Sequence, residues 1–336
     1  MQKILNEKNI IFIVSFFLII FVFINFINNI SEREKYKLVN NNTYTKLDNF
    51  EFKDKLNQNL LKDKSYELIL EKNCQITGDM HNRHKVRWVK AYFLKNIYHI
   101  ANNFNSKLPY YINIILHSLL IFFSLILIDK TFNLKKKYVI LFLLYVTFVF
   151  QGYLGEYSYS IFEMFFASAA LFASKRKNLL LFTSITSIAV LNRESGFIIL
   201  LIWLIFNQNY KEFFLCFIIT LSIFIGLNYQ TINCMINPKF FIPLEPQEGQ
   251  INFSDFKSMN ILSIIKLLSI NFFIPFGIIF YNLIKNKISN NFYLIIVAIY
   301  LITFLIATPA HHVAVKLIIL PLIILSFYLP IKKEIN

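Results

Sequence analysis

The chain has 336 residues, of which 56% are hydrophobic and only 16% charged, and its mean hydropathy is positive. This composition favours an integral membrane protein over a soluble domain. The net charge of +15 does not point to nucleic acid, because the Lys and Arg residues fall in short runs between apolar segments and in one loop. Such a distribution reflects membrane topology, with anionic lipids and phosphates as natural partners.

The first apolar segment, residues 9–30, is long enough to cross a hydrocarbon core at about 1.5 Å per residue. It is longer than the apolar part of a signal peptide, and no small-residue cleavage site follows it. We therefore predict an uncleaved first transmembrane helix. A long polar loop, residues 31–109, comes after it.

Further apolar segments predict an all-α integral membrane protein with about ten transmembrane helices in one polytopic domain, residues 1–336. The predicted helices after the first loop are 110–128, 138–151, 156–174, 179–191, 195–206, 212–229, 261–284, 292–307 and 313–330. A second outer loop is predicted at about 230–260.

The charges of the short connections predict the orientation. Lys and Arg occur in the connections at 130–137, 175–177, 211, 285–287 and 332–333, and none occurs in the turns at 151–155 and 308–312. Because basic residues accumulate in cytoplasmic loops, both termini are predicted to be cytoplasmic and the 31–109 loop to be outside.

Residues 179–206 allow two interpretations. They form either one long helix or a pair of short helices broken at the polar run from Asn192 to Ser195. One long helix would invert the topology downstream and move Lys285 and Lys287 outside. The hairpin keeps the charge pattern consistent and is the preferred prediction.

The stretch from Ile76 to Trp88 holds the densest set of reactive side chains. An acid, two imidazoles and two guanidiniums lie within nine residues, namely Asp79, His81, Arg83, His84 and Arg87. Together they can move a proton and hold an anion, so Asp79 is a candidate general base. The alternative is that Asp79 only forms a turn after the preceding glycine.

Other charged residues are predicted to reach the same outer side from independent segments, which points to a shared site. They are Glu156, Arg193, Glu194, His311 and His312. Glu163 lies two turns deeper than Glu156 on the same helix face, and Lys316 follows His312 by one turn. Each has a structural alternative: Arg193 with Glu194 as an ion pair closing a hairpin, Glu163 as the counter-charge of Lys316 or Arg193, and the two histidines as helix caps.

Residues 83–104 carry apolar side chains at helical spacing. These are Val86, Val89, Phe93, Ile97, Ile100 and Phe104, with Lys and Arg between them. The pattern predicts an amphipathic helix in the membrane interface, or else a helix of a small outer domain. No nucleotide-binding glycine pattern, zinc-ligand spacing, nucleophile elbow or acidic pair of the DxD kind occurs, so no cofactor is expected and a divalent metal has no clear ligand motif.

The layout resembles the GT-C superfamily of polytopic glycosyltransferases. The resemblance rests on the first helix followed by a long loop with an early acid, on the run from His81 to Trp88, on Arg193-Glu194-Ser195-Gly196, and on His311-His312 before Lys316. The paired acids often found in the first loop of that superfamily are absent.

The resemblance implies that a sugar passes from a polyprenyl-phosphate carrier to an acceptor on the outer face of a bacterial plasma membrane. Asp79 or Glu156 would then be catalytic, and the substrate or its phosphate would be bound by His81, Arg83, Arg87, Arg193, Glu194, His311, His312 and Lys316. Two other functions remain open, an O-antigen-type polymerase or ligase and a non-catalytic lipid flippase or transporter. A transporter should place its polar groups at the bilayer midplane and contain a repeat, and neither is evident.

Overall fold

The computed structural model describes residues 13–21, 36–39, 43–46, 88–105, 108–134, 139–140, 158–236, 274–285, 290–306, 323 and 325–326. Nearly all of them are helical, which confirms the all-α class in its coarse form. The departure is a small antiparallel hairpin in the first loop, formed by β1 (Tyr36–Val39) and β2 (Thr43–Lys46).

The helical elements follow the predicted apolar segments. They are a π-helical turn (Val89–Leu94), α1 (Lys95–Phe104), α2 (Leu108–Phe132), α3 (Ser158–Lys175), α4 (Leu179–Asn192), α5 (Gly196–Ile199), α6 (Leu201–Asn207), α7 (Tyr210–Ile236), α8 (Ile274–Lys285) and α9 (Asn291–Ile306). Helix α7 continues past the predicted end at residue 229, so the second outer loop cannot begin before residue 237. Most of the predicted helices 138–151 and 313–330 falls outside the described residues.

Two of the described helices are long and apolar enough to cross a membrane. They extend over Tyr111–Phe132 and Tyr210–Tyr229, with lengths of 22 and 20 residues. A span of about 20 apolar residues matches the thickness of a hydrocarbon core. These two helices support association with a membrane.

Helices α4 to α6 form a hairpin, as the sequence predicts. Asn178 begins α4 by accepting a hydrogen bond from the backbone N–H of Leu181 at 3.0 Å. The chain reverses after Asn192, and the rings of Phe182 and Trp203, one on each arm, lie 5.0 Å apart. A single continuous helix would hold these two rings about 30 Å apart at 1.5 Å per residue, so the long-helix alternative is wrong.

Helices α2 and α3 lie side by side and point the same way. Near their first residues, the His117 ring lies 6.4 Å from the Phe162 ring, and at their last residues the Lys175 ammonium lies 5.1 Å above the Phe132 ring. Helix α3 also carries four buried alanines, and short side chains of this kind let neighbouring helix backbones come close. They are Ala167, Ala169, Ala170 and Ala173.

The basic connections meet at one end of the bundle, which we call the basic end. Its basic residues are Lys130, Lys175, Arg176, Lys177, Lys211 and Lys285. Three contacts bring the helix termini together there: Lys175 Nζ donates to the Thr131 carbonyl, Asn207 Nδ2 to the Ser174 carbonyl at 3.1 Å, and Asn290 Nδ2 to the Ile205 carbonyl at 3.1 Å. The charge pattern predicts these basic connections on one side of the membrane. Among the described helices, they do lie together at one end of the bundle.

Candidate functional site

A carboxylate, a guanidinium and a hydroxyl meet where the α4–α6 hairpin turns. Arg193 Nη1 lies 3.4 Å from Glu163 Oε2, and the Ser195 hydroxyl donates to Glu163 Oε1. The Glu163 side chain is only 4% exposed and that of Arg193 is 21% exposed. Both carboxylate oxygens thus have a donor, as a buried charge requires. We call Arg193, Glu194 and Ser195 the hairpin tip.

The sequence brings these groups together through the way α4 ends. Arg193 leaves the helix in an extended conformation, its N–H still bonded to the Ala189 carbonyl at 3.0 Å. The next helix starts at once, because the Gly196 N–H bonds to the Arg193 carbonyl at 2.9 Å. Gly196 lies directly against the backbone of Ala189 and Val190, which allows so sharp a reversal.

The structure describes one of the two counter-charges considered for Glu163. Arg193, thirty residues later in the chain, forms an ion pair with it, and Ser195 adds a hydrogen bond. Lys316, the other one, lies outside the described residues. Glu194 is half-buried at the hairpin tip, and its carbonyl accepts from the Phe197 N–H at 3.2 Å.

The segment after the reactive stretch lies at the same end of the bundle as the hairpin tip. Trp88 Nε1 donates to Asn228 Oδ1 on α7 at 2.9 Å, and the π-helical turn contacts both α3 and α4. Tyr98 on α1 donates to Asn113 Oδ1 on α2 at 2.6 Å. Burial raises the pKa of Tyr98 above its usual value, so the phenol stays a neutral donor.

The amphipathic segment has two apolar faces rather than one. Leu94, Tyr98 and Ala101 are buried against the bundle. Of the face predicted from sequence, Phe93, Ile100 and Phe104 are exposed, Phe104 by 80%, whereas Val89 and Ile97 are partly buried against the core. A helix that packs on a protein with one face and presents aromatic and aliphatic side chains on the other suits a membrane interface.

Most of the predicted site residues fall outside the described part of the chain. They are Asp79, His81, Arg83, Arg87, Glu156, His311, His312 and Lys316. Of the predicted set, the structure describes Arg193 and Glu194, and it brings Arg193 onto Glu163. The roles assigned to the others stay predictions.

The sequence interpretation did not single out His117, which lies fully buried on α2. Both ring nitrogens have no hydrogen-bond partner among the described residues, and the same holds for the hydroxyl of Ser118. A histidine within an otherwise apolar run was the available signal, since ionisable residues inside membrane helices are rare and often functional.

The described part of the site can bind an anion and orient it, because Arg193 carries five N–H donors in a fixed plane. Within the described ranges, no group of three His, Cys, Asp or Glu side chains is arranged to hold a metal ion. Comparisons of the chain with protein-family models, with curated proteins and with solved structures find no match.

Proposed function

We propose that the chain is a multi-pass membrane glycosyltransferase that moves a sugar from a polyprenyl-phosphate donor to an acceptor at the outer face of a bacterial plasma membrane. One observation carries the proposal. The buried Arg193 and Glu163 pair and the anchored Trp88, which ends the reactive stretch, belong to the same end of the bundle, opposite the basic end. The GT-C resemblance adds the reaction class.

The orientation follows from the positive-inside rule. The basic end faces the cytoplasm together with both termini, so the hairpin tip and Trp88 face outward. The donor's isoprenoid tail then lies between helices, which explains why the enzyme is embedded in the membrane. Its phosphate lies near the outer surface, close to the acceptor.

This orientation predicts a simple labelling result. In a variant with Cys74, Cys216 and Cys234 replaced by serine, a thiol introduced by Asn233→Cys should react with a membrane-impermeant maleimide on intact cells. Asn233 is exposed near the end of α7, away from the basic end. The control, Lys177→Cys, is exposed at the basic end and should react only after permeabilisation. The reverse pattern would invert the topology.

The proposed reaction is a displacement at the anomeric carbon of the donor. Asp79 takes the proton from an acceptor hydroxyl, whose oxygen forms a bond to the anomeric carbon. The bond between that carbon and the phosphate oxygen breaks, and its electron pair leaves with the polyprenyl phosphate. Arg193, His312 and Lys316 neutralise the developing phosphate charge. His81, Arg83, Arg87 and His311 complete the anion site.

Asp79→Asn tests the catalytic role. A positioned general base typically contributes about 10² to 10⁴ in rate, so transfer should fall by that factor while the protein remains in the membrane. Transfer would be measured in membrane vesicles with a panel of polyprenyl-phosphate hexoses and pentoses.

The matched control is Asp129→Asn at the basic end, where the side-chain oxygen that bonds the Leu134 N–H is retained. Normal turnover in Asp79→Asn would move the role to Glu156. Donor that crosses the bilayer with its glycosidic bond intact would indicate a lipid flippase instead.

A further inference from the structure

The hairpin of α4 to α6 is too short to cross a membrane. Helix α4 has 14 residues and therefore extends about 21 Å from the basic end, and the returning arm, Gly196–Asn207, is shorter still. A hydrocarbon core is about 30 Å thick. The hairpin therefore enters and leaves at the basic end, and its tip lies toward the opposite end of the bundle but recessed from it.

Two neighbouring helices extend beyond the tip. Phe197, next to the tip, has its ring 5.5 Å from that of Phe224 on α7, and Phe224 lies twelve residues before Ile236, where α7 ends. This separation corresponds to about 18 Å along the helix. The hairpin tip thus lies well below the end of α7.

Helix α2 also extends beyond the tip. His117 lies opposite Phe162, the neighbour of Glu163, and nine residues after Leu108, where α2 begins. This separation corresponds to about 13.5 Å along the helix. An ion pair at such a depth is costly, and charges found there usually have a function.

The contacts between Glu163 and Arg193 limit the function that this ion pair can have. Glu163 contacts Arg193 through one oxygen and Ser195 through the other, so the charge of the guanidinium is largely neutralised within the protein. An arginine that only binds an anionic ligand does not need a carboxylate beside it. A buried carboxylate lowers the affinity of the arginine for any second anion, because the two compete for the same donors.

We propose that Glu163 is an internal counter-anion of a phosphate site formed by a re-entrant hairpin. Glu163 neutralises Arg193 at membrane depth while no ligand is bound, and the phosphate group of a lipid competes with it for the guanidinium. The competition weakens binding and so favours release of the phosphate after use. The inference rests on the proposed function in one respect, that the phosphate belongs to the donor lipid or to the lipid product.

Fluorescence of Trp88 provides a binding assay. The chain has two tryptophans, and Trp203→Phe would leave only Trp88, whose indole is anchored on Asn228, four residues beyond Phe224. The protein would be placed in nanodiscs of zwitterionic lipid and titrated with a sugar-free polyprenyl monophosphate, with the matching neutral polyprenol, and with inorganic phosphate. Binding of the radiolabelled polyprenyl phosphate would provide a second readout.

The expected results concern how the charges of Glu163 and Arg193 affect lipid binding, and not the rate of sugar transfer. Polyprenyl phosphate should bind at least about ten-fold more tightly than polyprenol, and inorganic phosphate should not displace it. Glu163→Gln should tighten binding of polyprenyl phosphate by about ten-fold, because the competing anion is gone while Ser195 keeps an acceptor. The double variant Glu163→Gln/Arg193→Gln should bind it at least about ten-fold more weakly than Glu163→Gln does, because one guanidinium of the anion site is gone. The control Arg176→Gln, at the basic end, should not change binding.

Several outcomes would overturn the proposal. Unchanged or weaker binding in Glu163→Gln would make the ion pair purely structural, and unchanged binding in the double variant would remove Arg193 from the site. Displacement by inorganic phosphate would make the ligand a soluble anion. The assay contains no sugar, so normal transfer in Asp79→Asn would refute the proposed catalytic base without affecting these binding results.

Discussion

Replacing Arg193 with methionine is expected to destabilise the protein by about 3–5 kcal/mol, the usual cost of removing one partner from a buried ion pair. Among the described residues, the substitution leaves the Glu163 carboxylate, which is 4% exposed, with the Ser195 hydroxyl as its hydrogen-bond donor. A single neutral hydrogen bond does not offset the desolvation of a carboxylate. Thermal unfolding of the purified protein in detergent, together with its level in the membrane, would measure the effect.

A second substitution separates this cause from simple loss of packing. Glu163→Gln in the Arg193→Met background removes the stranded charge and should restore at least half of the lost stability. Arg176→Met is the matched control, because Arg176 is exposed at the basic end with its guanidinium 4.1 Å from the Phe172 ring, and its loss should cost little. Equal stability of Arg193→Met and the unmodified protein would show that the pair contributes nothing.

Gly196→Ala is expected to disrupt the hairpin, at a cost of about 3 kcal/mol or more. An added Cβ would lie 2.6 Å from the carbonyl carbon of Ala189 and 2.6 Å from the nitrogen of Val190. Both are backbone atoms of α4, so no side-chain rotation relieves the clash. The start of α5 would have to move away from α4, which would also pull Ser195 from Glu163.

The chain contains matched controls for this substitution. A Cβ at Gly226 on α7 or at Gly277 on α8 would meet no atom within 4 Å. Alanine at either helical position should be neutral or stabilise by up to about 1 kcal/mol, since glycine is the poorer helix former. If Gly196→Ala unfolded at the same temperature as Gly226→Ala, the close contact between α4 and α5 would not exist in the protein.

Some of the fold follows directly from the order of residues. The hairpin was predicted at 179–191 and 195–206 and is found at Leu179–Asn192 and Gly196–Asn207, because a run of four polar residues cannot continue a helix through lipid. The gathering of Lys130, Lys175 and Lys211 at one end follows as well. Both features depend on local composition and on the alternation of connections, which are properties of the sequence itself.

The partner of a charged side chain and the buried face of a helix do not follow from the order of residues. Both depend on which elements become neighbours in the folded protein. The sequence offered both Lys316 and Arg193 as counter-charges for Glu163, and the folding of the hairpin beside α3 brings Arg193 within 3.4 Å. It also left open which face of the amphipathic segment contacts protein, since Phe93 and Leu94 are both apolar. Packing buried Leu94 and exposed Phe93. Hydrophobicity by itself has no direction, and a long-range ion pair is selected only when two distant segments meet at the same depth.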